Sequence, residues 1–255
     1  MAENGDTFSV TGRNRVSDEL IKAIQSADKS ILVASGHLRH RGVAEAIMAK
    51  VQSNPEMDVR VYLDAQEYIS KSTHDQQVDD LEACLAAAGT SESKQRSCLD
   101  KGFLFGFMVG EAGAHVRYKW YAYRWHFSYA EQMHHKYMII DGDELWTGSY
   151  NLSDNAEHNT FENMLHFSGE ANAGLIALYQ QNFESIWETG RAEDLLSSLR
   201  EEIATADVIP MVFDSMALDH AEVNSLKSLI LANCTQANSS EFRSHPESHT
   251  ICHRV

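Results

Sequence analysis

The chain has 255 residues, 43% of them hydrophobic and 23% charged, with 3 prolines and a net charge of −16. That length gives room for one sizeable domain with an appendage, and the composition excludes a disordered or fibrous chain. A protein that coats nucleic acid non-specifically is basic overall, so the acidity argues against a packaging role, whereas an enzyme needs only a local positive cleft.

No window reaches the apolar length needed to span a bilayer. Residues 1–5 lack a charged start followed by an apolar core, so no signal peptide is visible. Localisation stays open between the cytoplasm and a mature exported form. Residues 7–16 read as an extended lead-in. Ser17, Asp18 and Glu19 then open a helix with Ser17 as N-cap, and Leu20, Ile21, Ile24 and Ala27 recur at helical spacing. Residues 30–36 have a buried-strand pattern. Residues 37–42 form a basic loop, 43–52 a helix and 58–64 the next strand. Strands alternating with helices predict an α/β layered domain. Residues 79–88 read as helix and 89–96 as a polar loop. Residues 103–109 are an apolar run, read as a buried helix or strand. A patch that docks on lipid or on a second subunit is the functional alternative.

Residues 115–120 predict a strand, and residues 121–129 interleave aromatics with Arg124 and His126. Between His115 and Lys136 there are four Lys or Arg against one acid, Glu131, a basic island in an acidic chain. Aromatic rings beside cations stack bases and hold phosphates. The same residues suit a lipid headgroup boundary, or a plain hydrophobic strand or interface with a solvated basic edge. Residues 159–168 predict a strand and 172–188 an amphipathic helix that ends at Gly190. Residues 193–206 and 221–232 predict helices, and 238–255 a polar, mobile tail. The four cysteines pair by region, Cys84 with Cys98 and Cys234 with Cys252. Two local disulfides in an oxidising compartment and four buried thiols both fit that count. Cys252 and His253 near Cys234 lack zinc-site spacing.

The chemistry concentrates at His134 and Lys136, two apart and therefore on one face of a strand over residues 136–140. Asp141-Gly142 is a hairpin signal, and Leu145-Trp146-Thr147 returns as the next strand before Gly148-Ser149-Tyr150-Asn151. The hairpin brings an imidazole, an ammonium, a hydroxyl and an amide together. Lysine matches the charge of a phosphodiester, Ser and Asn add neutral donors, and an imidazole can attack phosphorus to give a covalent intermediate. The bland alternative is a hairpin with a buried histidine and a surface lysine.

His134-x-Lys136-x4-Asp141, followed by Gly148-Ser149-x-Asn151, resembles the HKD motif of the phospholipase D superfamily. Glu162 sits where that family places a glutamate. A lone motif of this length recurs by chance, but the joined pattern on a strand-turn-strand is specific. The resemblance covers residues 7–191, departs from a minimal version over about 65–110, and leaves 192–255 as a C-terminal helical extension and polar tail. It implies a phospholipase D-like layered domain, a mixed central β-sheet flanked by helices.

It further implies a catalytic set of His134, Lys136 and Glu162. Lys136, Ser149 and Asn151 hold the phosphate oxygens, and Glu162 accepts a hydrogen bond from the His134 ring. Asp141 and Gly148 are structural members of the motif, Asp141 ordering the turn or pairing with a cation, and His135 is structural. His37, Arg39, Arg117, Lys119 and Arg124 are candidates for a substrate groove. No metal and no cofactor is expected. The family uses two motifs per active site and this chain has one H-x-K, so a homodimer with the site on its twofold axis is expected. Single-motif architecture resembles bacterial nucleases of the superfamily. A nucleic-acid phosphodiesterase is therefore the leading expectation, with a phospholipase or phosphatidyl-transfer enzyme, or a catalytically silent nucleic-acid-binding protein, as alternatives.

Overall fold

The computed structural model describes residues 15–100, 102–121, 132–245 and 251–254. α1 (Arg15–Ser26), β1 (Ser30–Ser35), α2 (Arg41–Ser53) and β2 (Asp58–Asp64) form the expected opening unit. α3 (Lys71–Ala88), α4 (Glu92–Leu99) and α5 (Gly106–Glu111) follow, then β3 (His115–Trp120), β4 (Lys136–Ile140) and β5 (Glu144–Gly148). After these come α6 (Asp154–His158), β6 (Met164–Ser168), α7 (Ala173–Trp187), α8 (Leu195–Thr205) and β7 (Val208–Pro210). β8 (Met216–Asp219), α9 (His220–Asn233), α10 (Ser240–Ser244) and β9 (Ile251–His253) complete the described chain.

Seven strands make one mixed sheet in the order β6-β5-β4-β1-β2-β3-β8. β1, β2 and β3 are parallel. β4, β5, β6 and β8 join antiparallel. Helices cover both faces, and this is the mixed α/β class that the strand and helix alternation predicts. In β1, Ile31 and Val33 enter a core with Leu20 and Ile24 of α1 and Val43 and Ile47 of α2. Leu32 and Ala34 enter a second core with Ile176, Phe183 and Trp187 of α7. All four strand residues are buried, so β1 reads as a continuous apolar run, as a strand covered on both faces must.

Several boundaries depart from the local pattern. α1 starts at Arg15, and Ser17 is not its N-cap. Instead the Val16 and Ser17 backbone N–H groups donate to the Glu157 carboxylate at 3.1 and 3.2 Å. A cap supplied from 140 residues away leaves no trace in the local sequence. α3 begins earlier than expected, at Lys71, with the Ser70 Oγ accepting from Thr73 N. The polar stretch expected as a loop at 89–96 holds most of α4, which the Cys84–Cys98 disulfide joins to α3. The apolar run at 103–109 is core and not a docking patch. Phe103, Phe105 and Val109 are buried, and the Arg41 guanidinium lies 5.3 and 5.1 Å from the two phenyl centroids.

The segment after Arg191 contributes to the main sheet as well as adding helices. β8 pairs with β3, and Leu199, Ile203, Val223, Leu226 and Ile230 join the core beneath α1 and α2. Within 238–255, expected to be mobile, α10 and β9 are formed. β9 pairs with β7, and buried Cys252 is disulfide-bonded to Cys234.

Candidate active site

The carboxyl ends of the parallel strands β1 and β2 and the start of β4 lie at one end of the sheet, the position where open α/β sheets bind ligands. The β4–β5 hairpin is pinned at the opposite end. Asp141 (φ 55) and Gly142 (φ 77) take the left-handed conformation, and Asp143 N donates to Ile140 O at 3.1 Å. The Asp141 carboxylate accepts from the backbone N–H groups of Asp28, Lys29 and Ser30 at 2.8, 2.6 and 2.9 Å. Burial alone would raise this carboxyl, but the backbone donors outweigh it and hold it below the ordinary carboxylate range. The motif's aspartate thus fixes β4 against β1, far from the reacting atoms.

His134 stands exposed just ahead of β4. Two contacts set its approach. Buried Asp64, at the end of β2, accepts from Met133 N at 2.7 Å and from the Tyr121 hydroxyl at 3.1 Å. Gly36 N donates to His135 O at 3.1 Å, and a Cβ at Gly36 would sit 2.8 Å from Met133 O. Sequence reasoning singled out neither residue as part of the site. The only available signal was the placement of Asp64 at a strand end.

Lys136 is half-buried, and its Nζ donates to the His134 carbonyl at 3.2 Å. Burial lowers its pKa, and the Glu162 charge acts in the opposite sense. Glu162 is therefore close to the motif, but its carboxylate accepts from Thr160 Oγ1 at 2.8 Å rather than from the His134 ring.

The ladder pairs Tyr137 with Thr147, which carries Gly148 and Ser149 to the His134 end. Ser149 N donates to Asn163 O, and Asn163 N to Ser149 Oγ, both at 3.0 Å. Gly148 permits this: a Cβ there would overlap the Asn163 carbonyl oxygen and lie 2.7 Å from Asn163 Oδ1. Tyr150 is buried and donates to Glu157 at 2.6 Å, the same carboxylate that caps α1. The Leu152 carbonyl accepts from Arg39 N and His40 N at 2.7 and 2.8 Å. Between these anchors Asn151 Oδ1 is buried with no hydrogen-bond partner among the described residues; that oxygen is an acceptor, and the donor the side chain can offer a phosphate is its Nδ2.

The groove candidates divide. His37 Nδ1 and Arg39 Nε each lie 2.9 Å from Glu67 Oε1, and Glu67 is fully buried, so both are matched within the fold. Burial opposes the ionised form of Glu67, but the His37 and Arg39 contacts prevail and lower its pKa. Arg117 donates to Trp187 O and Glu188 at 2.6 and 3.0 Å and stacks over the Trp187 ring, so its charge is also taken up. These cations are structural because each found a carboxylate that its own stretch of sequence does not contain. Lys119 lines a cavity of about 420 Å³ with His134 and His135. Arg124, with most of the basic aromatic stretch, lies outside the described residues. His135 has its pKa lowered by burial first and by Lys119, Lys136 and His134 after it, so the ring is neutral at pH 7. Another cavity, about 640 Å³, is at the other end of β2 and β3, around Asp58, Arg60 and His115. Among the described residues no three His, Cys, Asp or Glu side chains converge as a metal site.

An exposed imidazole, an adjoining ammonium, a positioned hydroxyl and an amide at one end of the sheet suit nucleophilic attack on a phosphodiester. Residues 20–187 match the family described as "Cardiolipin synthase, PLD-like domain". The chain belongs to the phospholipase D superfamily. As such it is a phosphodiesterase, a hydrolase. Among solved structures, Nuc, a phospholipase D family member from Salmonella typhimurium, is similar at 18% identity and a TM-score of 0.44. That match covers 70% of this chain and 90% of Nuc. NucT from Helicobacter pylori is similar at 20% identity and a TM-score of 0.43, covering 69% and 90%. TrmBL2, an archaeal chromatin protein, aligns at 11% identity and a TM-score of 0.35, covering 69% and 49%. No curated protein matches the chain in sequence.

Proposed function

We propose that this protein hydrolyses phosphodiester bonds of nucleic acid through a covalent phosphohistidine, with no metal ion in the reaction. The observation that carries the proposal is the exposed His134 imidazole beside Lys136, with Ser149 and Asn151 brought to the same end by the hairpin. A His134 ring nitrogen attacks phosphorus, the N–P bond forms and the bond to the leaving oxygen breaks. A second, protonated imidazole gives its proton to that oxygen. The same imidazole then takes a proton from water, whose oxygen attacks phosphorus and breaks the N–P bond. Lys136, Ser149 and Asn151 match the charge on the non-bridging oxygens throughout.

The second imidazole is the partner's His134 in a homodimer. Support comes from the single H-x-K in the chain and from β6, an edge strand beside the motif. Phe161 and Leu165, on either side of Glu162, are 83% and 54% exposed, apolar surface that an association of two chains would cover. A nucleic-acid substrate is favoured over lipid because the apolar run at 103–109, one of the two features that supported lipid, is in the core. No helix among the described residues is long and apolar enough to cross a membrane.

Turnover of bis(p-nitrophenyl) phosphate and of a labelled oligonucleotide in EDTA, for the wild type and His134→Ala side by side, tests the chemistry. Activity that resists EDTA and vanishes in the variant is expected. Full activity of His134→Ala overturns the assignment. Mixing the two proteins under exchange tests the dimer. An equal mixture of paired sites retains about a quarter of the wild-type activity, and independent sites retain about half.

A further inference from the structure

We infer, on the basis of the nuclease function proposed above, that Lys119 and His135 form a second phosphate subsite beside the scissile one. The site then reads a run of phosphodiesters rather than a single isolated diester. The groove cations Arg39 and Arg117 are already matched, Arg39 by Glu67 and Arg117 by Glu188. Lys119 has no hydrogen bond or ion pair with any described residue. In a chain of net charge −16, an unmatched ammonium next to the nucleophile serves no ion pair of the fold.

Strand alternation places it. Lys119 pairs with Asp64 on β2 and Ala217 on β8, and Ala217 belongs to the core beneath α7. Tyr137 belongs to that core as well, so His135, two residues earlier, is on the same face. Lys136 pairs with Ser35 and points to the opposite face. By the same alternation His134 is on the Lys136 side, at the lip between the two faces. Its carbonyl accepts from Lys136, and its side of the chain lines the cavity that Lys119 and His135 share. A phosphate held by Lys136, Ser149 and Asn151 would have its neighbour on the same strand delivered across this lip into the cavity. There it meets the Lys119 ammonium and the N–H of a neutral imidazole. At about 420 Å³ the cavity falls in the range that holds small ligands.

Lys119→Met keeps the side-chain length and removes the charge. The test measures KM for a tetranucleotide and for bis(p-nitrophenyl) phosphate, at several salt concentrations, with wild type, Lys119→Met and Lys119→Arg. The expected result is a tetranucleotide KM raised by Lys119→Met about tenfold more than that of the small diester. Its salt slope falls by about 0.7, the value of one lost single-strand phosphate contact, and Lys119→Arg restores it. Equal changes on both substrates, no change on either, or no recovery in a Lys119→Arg protein that unfolds like wild type would overturn the subsite. Failure of the wild type to cleave either substrate would sink the nuclease function instead. Anisotropy titration of the same tetranucleotide would then decide the subsite: a slope lower by about 0.7 in Lys119→Met supports it, and identical slopes refute it.

Discussion

Gly148→Ala adds one methyl group at a position with no room for it. The new Cβ would overlap the Asn163 carbonyl oxygen and come within 2.7 Å of Asn163 Oδ1. Backbone cannot yield as a flexible side chain does, so β5 and the segment before β6 must separate. That movement strains the two 3.0 Å bonds between Ser149 and Asn163. Two hydrogen bonds at about 1 kcal/mol each, plus about 1–3 kcal/mol for overpacking, give a loss of roughly 3–5 kcal/mol. For a chain of this size Tm falls by about 2–4 °C per kcal/mol, so a drop of roughly 6–20 °C is expected. Ser149 and Asn151 move with the strand, and a shift near 1 Å in a positioning group costs about 10²-fold in rate. Calorimetry and bis(p-nitrophenyl) phosphate turnover on the same preparation measure both. A Gly148→Ala protein with wild-type Tm and turnover would refute the claim that close approach to Asn163 places the hydroxyl and the amide.

Asp141→Asn tests the anchor at the far end of the hairpin, and asparagine tolerates the left-handed conformation there. The folded carboxyl titrates below its unfolded value, so its contribution is complete above the unfolded pKa near 4 and is lost as pH falls through the folded one. The variant should be less stable at pH 7 by about 1–3 kcal/mol, and the gap in Tm should narrow below about pH 4. A gap independent of pH would contradict the carboxylate's role. Cys234→Ser with Cys252→Ser opens a loop of sequence separation 18 and should cost about 3 kcal/mol, read as a lower Tm that dithiothreitol does not lower further at this site. Glu67→Gln removes the charge that matches His37 and Arg39. It should cost about 1–3 kcal/mol in chemical denaturation, since the buried carboxylate loses its charge while the His37 and Arg39 side chains, each 34% exposed, keep part of their hydration. A neutral result would contradict a stabilising role for the Glu67 charge.

The strands from β1 to β6 and the turn of the candidate hairpin were legible because their signals are local, whereas β8, which completes the main sheet, was not expected. Residues 58–64 alternate into two cores, and Asp141-Gly142 between apolar runs forces the turn that brings Ser149 back towards His134. What holds the site in place was not legible, because each support pairs residues far apart in the chain. Asp64 holds Met133, Glu67 neutralises Arg39, and Glu157 joins Tyr150 to α1. None of these acids differs in local context from a solvated one. The same reason explains why His37, Arg39 and Arg117 looked like groove cations. α4 was missed because its sequence, Glu92 to Leu99, is polar on most sides, and the Cys84–Cys98 bond that fixes it depends on three-dimensional proximity.

Glu157 also defines a limit on how far the chain can be shortened from its beginning. Its Oε1 accepts from Val16 N, and its Oε2 accepts from both Ser17 N and the Tyr150 hydroxyl. A truncated protein that starts after Ser17 removes both backbone donors and leaves a buried anion under-solvated directly beneath the residue between Ser149 and Asn151. Loss of turnover in such a truncation is the outcome expected from displacing the segment that carries Ser149 and Asn151.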